Sequence, residues 1–240
     1  MSSALRIALV AEGWTDRIVI EAAVSDLVGG QAFALKLIQP EDPAATAPFA
    51  VPRPFGWAGV YRWCREVVDR AGRLRDDVIF AGYDILIFHL DADVANSNYA
   101  AAHINDAPNL TDLPCSSLVC PPPSTTTDPL RLVLLRWAGE TQTPAATVLC
   151  SPSKCIEAWV LAALHPQDPA VTGGNLECSV SPANLLQAKP SAERLIRSGK
   201  KDKARYQARQ QEIANAWPQV RQICTEAERF SLEFLAEMPA

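Results

Sequence analysis

The stretch Asp84-Ile85-Leu86-Ile87-Phe88-His89-Leu90-Asp91-Ala92-Asp93 decides how the rest of the chain is read. Its apolar, β-branched run shows no alternation of polar and apolar residues, the pattern of a strand buried on both faces in the middle of a sheet. It ends abruptly on two aspartates spaced i, i+2. Alternate residues of an extended chain point the same way, so both carboxylates can address one point in space. Crowded like charges repel, and a cation between them is the natural relief. The competing reading is that the pair caps a loop or the next helix, as Asp often does.

Upstream, Ala4-Leu5-Arg6-Ile7-Ala8-Leu9-Val10-Ala11 reads as a strand that stops at Glu12-Gly13-Trp14-Thr15-Asp16. Gly13 supplies the turn, Thr15 is the expected N-cap, and Asp16 suits the first turn of a helix reaching about residue 28. Gly29-Gly30 ends that helix, and a second strand is expected over residues 34–39. A strand–helix–strand unit predicts a parallel sheet covered by helices. Residues 40–54 form a connection rich in Pro and Ala, and a long helix is expected over 57–75.

Downstream of the aspartates, residues 94–113 read as a polar loop facing a substrate, and a short strand is expected over 116–119. Asp128-Pro129 looks like a helix start, carried on through residue 138. A strand over 145–150 breaks at Ser151-Pro152-Ser153, and a helix capped by Ser153 is expected to open at Lys154 and run to Leu164. From Ser181 onward the pattern reads as all helical and more charged. The expected organisation is a core over residues 1–165 and a helical, partly basic extension over 166–240 packed on it.

Composition narrows the classes. The chain of 240 residues is 48% hydrophobic and 20% charged, ordinary for a globular protein with a full core. Its apolar runs are too short to span a bilayer, and Met1-Ser2-Ser3-Ala4-Leu5-Arg6 enters a strand pattern with no signal-peptide apolar region, so a cytoplasmic protein is expected. Cysteines 64, 115, 120, 150, 155, 178 and 224 follow no disulfide framework and read as free thiols. The pairs Cys115/Cys120 and Cys150/Cys155 lack the turn residues of a zinc knuckle. A net charge of −5 argues against a generally basic nucleic-acid binder. The segment 189–209 nevertheless gathers Lys189, Arg194, Arg197, Lys200, Lys201, Lys203, Arg205 and Arg209 against Glu193 and Asp202. Such a stripe can hold a phosphate backbone, or it can be a solvated helix face.

Glu12 therefore ends the first strand, Asp91 and Asp93 end the central one, and Glu157 lies in the helix after a later strand. The carboxyl ends of parallel strands open on one edge. An all-oxygen cluster there suits Mg²⁺ or Mn²⁺, with a phosphate-bearing substrate. His89 reads as a core histidine or an outer partner of the cluster.

The arrangement resembles the Toprim domain, shared by topoisomerases, primases and nucleases of the overcoming-lysogenization-defect type. The likeness rests on Glu12-Gly13-Trp14-Thr15-Asp16, on Asp91-Ala92-Asp93 and on Ser151-Pro152-Ser153-Lys154-Cys155-Ile156-Glu157-Ala158-Trp159. The last resembles the Pro-x-x-x-Ile-Glu-Ala-Trp helix of small standalone Toprim-like proteins. The resemblance implies a Rossmann-like, mostly parallel sheet flanked by helices, with a helical C-terminal extension. It implies Glu12 as metal ligand or general base, Asp91 and Asp93 as metal ligands and Glu157 as a further one. Lys154 is the expected cationic helper at the same edge.

No tyrosine is placed for topoisomerase chemistry, and no Gly-rich phosphate loop is present, so an ATP-driven step would need a partner ATPase. The expected function is a metal-dependent nuclease cleaving DNA or RNA, with phage defence or mobile-element conflict as the setting the resemblance implies. Lys200, Lys201, Lys203, Arg205 and Arg209 would hold the backbone. Two rivals stand beside it. One is a phosphatase of the haloacid-dehalogenase kind, which also uses Asp-x-Asp but wants Thr where Ala95 stands. The other is a non-catalytic module regulating a partner.

Overall fold

The structure is a computed structural model and describes residues 4–41, 54–115, 119–178 and 181–239. At its centre is a four-stranded, all-parallel sheet in the order β2-β1-β3-β4, made of β1 (Leu5–Val10), β2 (Phe33–Gln39), β3 (Ile85–His89) and β4 (Thr147–Cys150). Ten helices are described: α1 (Trp14–Leu27), α2 (Trp57–Ala71), α3 (Ile79–Gly82), α4 (Ser124–Trp137), α5 (Glu157–Leu164), α6 (Pro169–Thr172), α7 (Pro182–Ala188), α8 (Lys203–Asn215), α9 (Trp217–Ile223) and α10 (Thr225–Glu237). The class is α/β, with helices on both faces of the sheet.

The period-2 geometry of strands explains why β1 and β3 are apolar throughout. Leu5, Ile7, Leu9, Ile85 and Ile87 enter one core with α1, α5 and α7–α10. Ala8, Val10, Leu86 and Phe88 enter the other, with α2 and α4. Helices α7–α10 thus share one face of the sheet with α1 and α5. Trp159 on α5, Trp217 on α9 and Phe230 on α10 are fully buried and meet edge-to-face or stacked at 5.4–6.4 Å, a geometry that adds to what their area alone contributes.

From β1 the chain first crosses to β2 on one side and then to β3 on the other. The reversal makes the carboxyl ends of β1 and β3 the switch point of the sheet, where open α/β sheets bind ligands. Glu12 leaves β1 there, and Asp91 leaves β3 there.

Several local expectations are corrected. Helix α1 starts at Trp14, so Thr15 lies inside it and is buried rather than capping it. Helix α2 stops at Ala71, because Gly72 turns the chain with φ +80° before a short 3-10 turn at Leu74–Asp76. Helix α4 begins at Ser124, four residues before Asp128, and carries Pro129 in its second turn, where the missing N–H leaves the Thr125 carbonyl without its i→i−4 donor. Helix α5 begins at Glu157 and not at Lys154. Ser153 caps nothing; its Oγ donates to Glu177 O at 2.5 Å.

The tail is not all helical either. Ile196–Arg197 and Lys200–Lys201 pair as an antiparallel hairpin, β5–β6, turned by Ser198 and Gly199 at positive φ. Cys120 and Cys178 are joined in a disulfide, correcting the reading of all seven cysteines as thiols; Cys64, Cys115, Cys150, Cys155 and Cys224 are free. Residues 116–118 of the expected strand over 116–119, and most of the 40–54 connection, fall outside the described residues. Among the described residues no helix is long and apolar enough to cross a membrane.

Candidate functional site

Neighbouring strands bring the acids together. Val10 of β1 pairs with Phe88 of β3, and β3 pairs with β4 through His89 and Cys150. The residues just beyond these ends therefore face one another. Glu12 Oε1 accepts a hydrogen bond from Asp91 N–H at 2.8 Å. Asp91 Oδ1 accepts from Ile156 N–H at 2.9 Å, at the entrance to α5. Asp91 thus braces the entrance to a helix remote in sequence; at the 3-10 turn that directly follows it, Ala92–Asn96, its side chain makes no capping bond. The second oxygens of Glu12 and Asp91, and both of Asp93, accept no hydrogen bond among the described residues.

The loop between β4 and α5 braces this edge through its backbone. Pro152 O accepts from Ala92 N–H at 3.0 Å and Lys154 O from Asp93 N–H at 2.8 Å. To reach Asp93, Lys154 adopts φ +63°, a left-handed conformation that a side chain makes costly. Strain of this sort persists only where the surroundings enforce it, and it gathers at functional sites. What Lys154 offers the aspartates here is its carbonyl; no ion pair ties its ammonium to them.

The cation that enters the cluster is Lys201, at the end of the β5–β6 hairpin. Its Nζ lies 2.7 Å from Glu157 Oε1 and 3.2 Å from Asp16 Oδ1. Tyr206 OH donates to the same Glu157 oxygen at 3.0 Å. The stem of Lys201 stays one-third exposed, while the two carboxylates that receive its head are 1% and 3% exposed. A side chain on Gly13 would meet Asp16 Oδ2 at 3.3 Å, so the turn after β1 leaves room for this carboxylate by having none.

His89, the last residue of β3, is fully buried. Its Nε2 stands 3.2 Å from Asp91 Oδ1, too oblique for a good hydrogen bond, and its Nδ1 has no partner.

The electrostatics follow from this geometry. Burial, then the charges of Asp91 and Asp16, push the Glu12 carboxyl well above the usual range. Desolvation, then Asp91 and Glu157, push Asp93 up to about 7, although its side chain opens to solvent at the mouth of the cluster and water screens part of that repulsion. Burial also raises Asp16, but Lys201 and His89 outweigh it and its carboxyl falls below the ordinary value. Burial works against charge on Lys201 too, yet Asp16, Glu157 and Asp91 hold the ammonium protonated. His89 behaves alike: burial lowers it, and Asp91 and Asp16 raise it by more.

The chemistry of the donors fits a hard divalent cation: oxygens only, several unused, on groups that repel one another. As they stand, no three His, Cys, Asp or Glu side chains among the described residues already surround one point as an ion site. Glu12, Asp91 and Asp93 are the groups that would hold such an ion. Glu157 is turned toward Lys201 and Tyr206.

The basic stripe is mostly engaged. Lys201 serves the cluster, Arg205 donates to the carbonyls of Ser191 and Arg194 at 2.8 and 3.0 Å, and Arg209 pairs with Glu212. Lys200 and Lys203 remain exposed, the latter over the Trp14 ring at 4.2 Å from its centroid. Sequence reasoning missed Asp16 and Tyr206 as members of the cluster and gave Lys201 a different task. The only signal was their type: Asp16 closes the Glu-Gly-Trp-Thr-Asp turn, and Lys201 and Tyr206 sit in the basic stripe. No family model, curated protein or solved structure matches the chain.

Proposed function

We propose that the protein is a nuclease that uses a divalent cation, Mg²⁺ or Mn²⁺, to hydrolyse phosphodiester bonds of DNA or RNA. One observation carries this reading. Glu12, Asp91 and Asp93 gather at the switch point of a parallel sheet, with unused oxygens and with Glu12 and Asp93 driven above their ordinary range by burial first and by the charge of Asp91 next. Three acids arranged so are matched by a cation and by little else. When bound, a divalent cation supplies a Lewis acid for a phosphoryl oxygen and makes a nucleophile available at neutral pH.

The chain's own groups have defined tasks in this reading. Glu12, fixed by the Asp91 N–H, takes a proton at its free Oε2. Asp91 and Asp93 hold the cation, and the backbone of residues 152–154 holds them. Lys200 and Lys203, exposed beside the cluster, attract a polyanionic backbone without reading its sequence. The like charge of the open acids keeps phosphate away until a cation is present.

The test is cleavage of single- and double-stranded DNA and RNA by the purified chain with Mg²⁺ or Mn²⁺, with chelator as control. Cleavage that needs the metal and vanishes in Asp91→Asn supports the reading. Equal cleavage by wild type and Asp91→Asn overturns it.

A further inference from the structure

Resting on that reading, we propose that Lys201 is a built-in cation filling one of two ion positions in the acidic cluster, so that the centre takes a single divalent cation, on Glu12, Asp91 and Asp93.

The five carboxylates divide into two groups. Asp16 and Glu157 share the Lys201 ammonium, and Glu157 also takes the Tyr206 hydroxyl. An ammonium has three donors, and two of them point at these acids. Its position is held from outside the cluster. Leu195 and Ile196 anchor the hairpin in the core, Gly199 N–H donates to Gln187 Oε1 at 2.6 Å, and Lys203 lies on Trp14 at the start of α1. The hairpin delivers Lys201 where a second ion would otherwise have to sit.

The other group is built for a visitor. Among the described residues no Lys or Arg forms an ion pair with Glu12, Asp91 or Asp93. Among the described residues the nitrogenous side chain aimed at them is His89, fully buried, without a hydrogen-bond partner, and 3.2 Å from Asp91 Oδ1. A buried imidazole with nothing to bond is poorly satisfied unless the carboxylate beside it is drawn into a fixed position. Outer partners fix ligating carboxylates in that way. The rival arrangement counts Glu157 among the ligands of the ion and Lys201 among the groups that meet nucleic acid.

Mn²⁺ alone is the probe, counted on the full chain by titration calorimetry and by the spin-resonance signal of free Mn²⁺. Wild type is expected to bind one ion. Lys201→Met is expected to bind two, because Asp16 and Glu157 then face each other without a cation. Glu157→Gln should weaken the wild-type ion less than about 10-fold, and Asp91→Asn more than about 100-fold, bracketing the 10–100-fold effect of outer partners. Two ions in wild type, one of them lost in Glu157→Gln, overturn this inference and leave the nuclease reading standing. A folded Lys201→Met that binds one ion also overturns it. No ion on wild type overturns both. Should Lys201→Met not fold, as judged by circular dichroism, the wild-type count and Glu157→Gln decide.

Discussion

Two halves of one acidic cluster have met the same electrostatic problem differently. Asp16 and Glu157 are enclosed, and a lysine from a distant hairpin neutralises them. Glu12 and Asp91 are held by backbone N–H groups, and these two and Asp93 have no lysine or arginine partner among the described residues. The first arrangement is structural: take the lysine away and two buried charges are stranded. The second is unfinished by the fold itself, and a protein tolerates an unfinished charge balance where something else completes it. The contrast suggests why five acids can crowd one sheet edge without unfolding it. Only part of their repulsion is left for a ligand to relieve.

The sharpest way to break this comparison is Asp91→Asn. It removes charge from the open half while preserving the Ile156 N–H contact, and Mn²⁺ affinity should fall more than about 100-fold with cleavage activity lost. Titration of folded variant against wild type checks it. Next in size is Lys201→Met in the closed half. Breaking a fully buried pair costs about 3–5 kcal/mol, and because the lysine stem is one-third exposed the expected loss in a denaturant melt is nearer to about 2–3 kcal/mol. No loss would mean the two halves do not differ.

Acidity distinguishes the halves by sign. Asp93 rises from its ordinary 3.8 to about 7, so the folded chain keeps a proton that the unfolded chain has released. Its contribution to stability is full at pH below 3.8 and is lost as pH rises through about 7. Asp16 is lowered, so its contribution is present above 3.8 and disappears as pH falls below it. Without divalent ions the melting temperature should therefore decline as pH rises from about 5 to about 7.5, and Asp93→Asn should flatten that slope. A slope unchanged in the variant would show that Asp93 does not carry it. Smallest is Tyr206→Phe, which removes one hydroxyl from Glu157 and should cost about 1 kcal/mol in the same melts, leaving the Mn²⁺ count at one.

Much of this was legible along the chain. The apolar run before Asp91 announces a central strand because burial on both faces leaves no room for polar alternation. Glu12 and Asp91 could be placed at one edge because parallel strands end together. The boundaries of α1, α4 and α5 were less legible, since Thr15, Asp128 and Ser153 have good capping chemistry that the packing does not use. At Ser153 the competing partner is Glu177 O, remote in sequence. The β5–β6 hairpin escaped because each strand has two residues, too few for any periodicity. The pairing of Cys120 with Cys178 escaped because spacing alone carries no geometry.

By itself the sequence determined the parallel α/β sheet, the acids at its switch point and the oxygen-only character of their chemistry, because strand periodicity and strand ends are local properties. Tertiary structure alone decided which acids are satisfied. Lys201 lies 185 residues from Asp16, and no pattern within a window can tell a solvated lysine from one that a hairpin folds into a cluster of carboxylates.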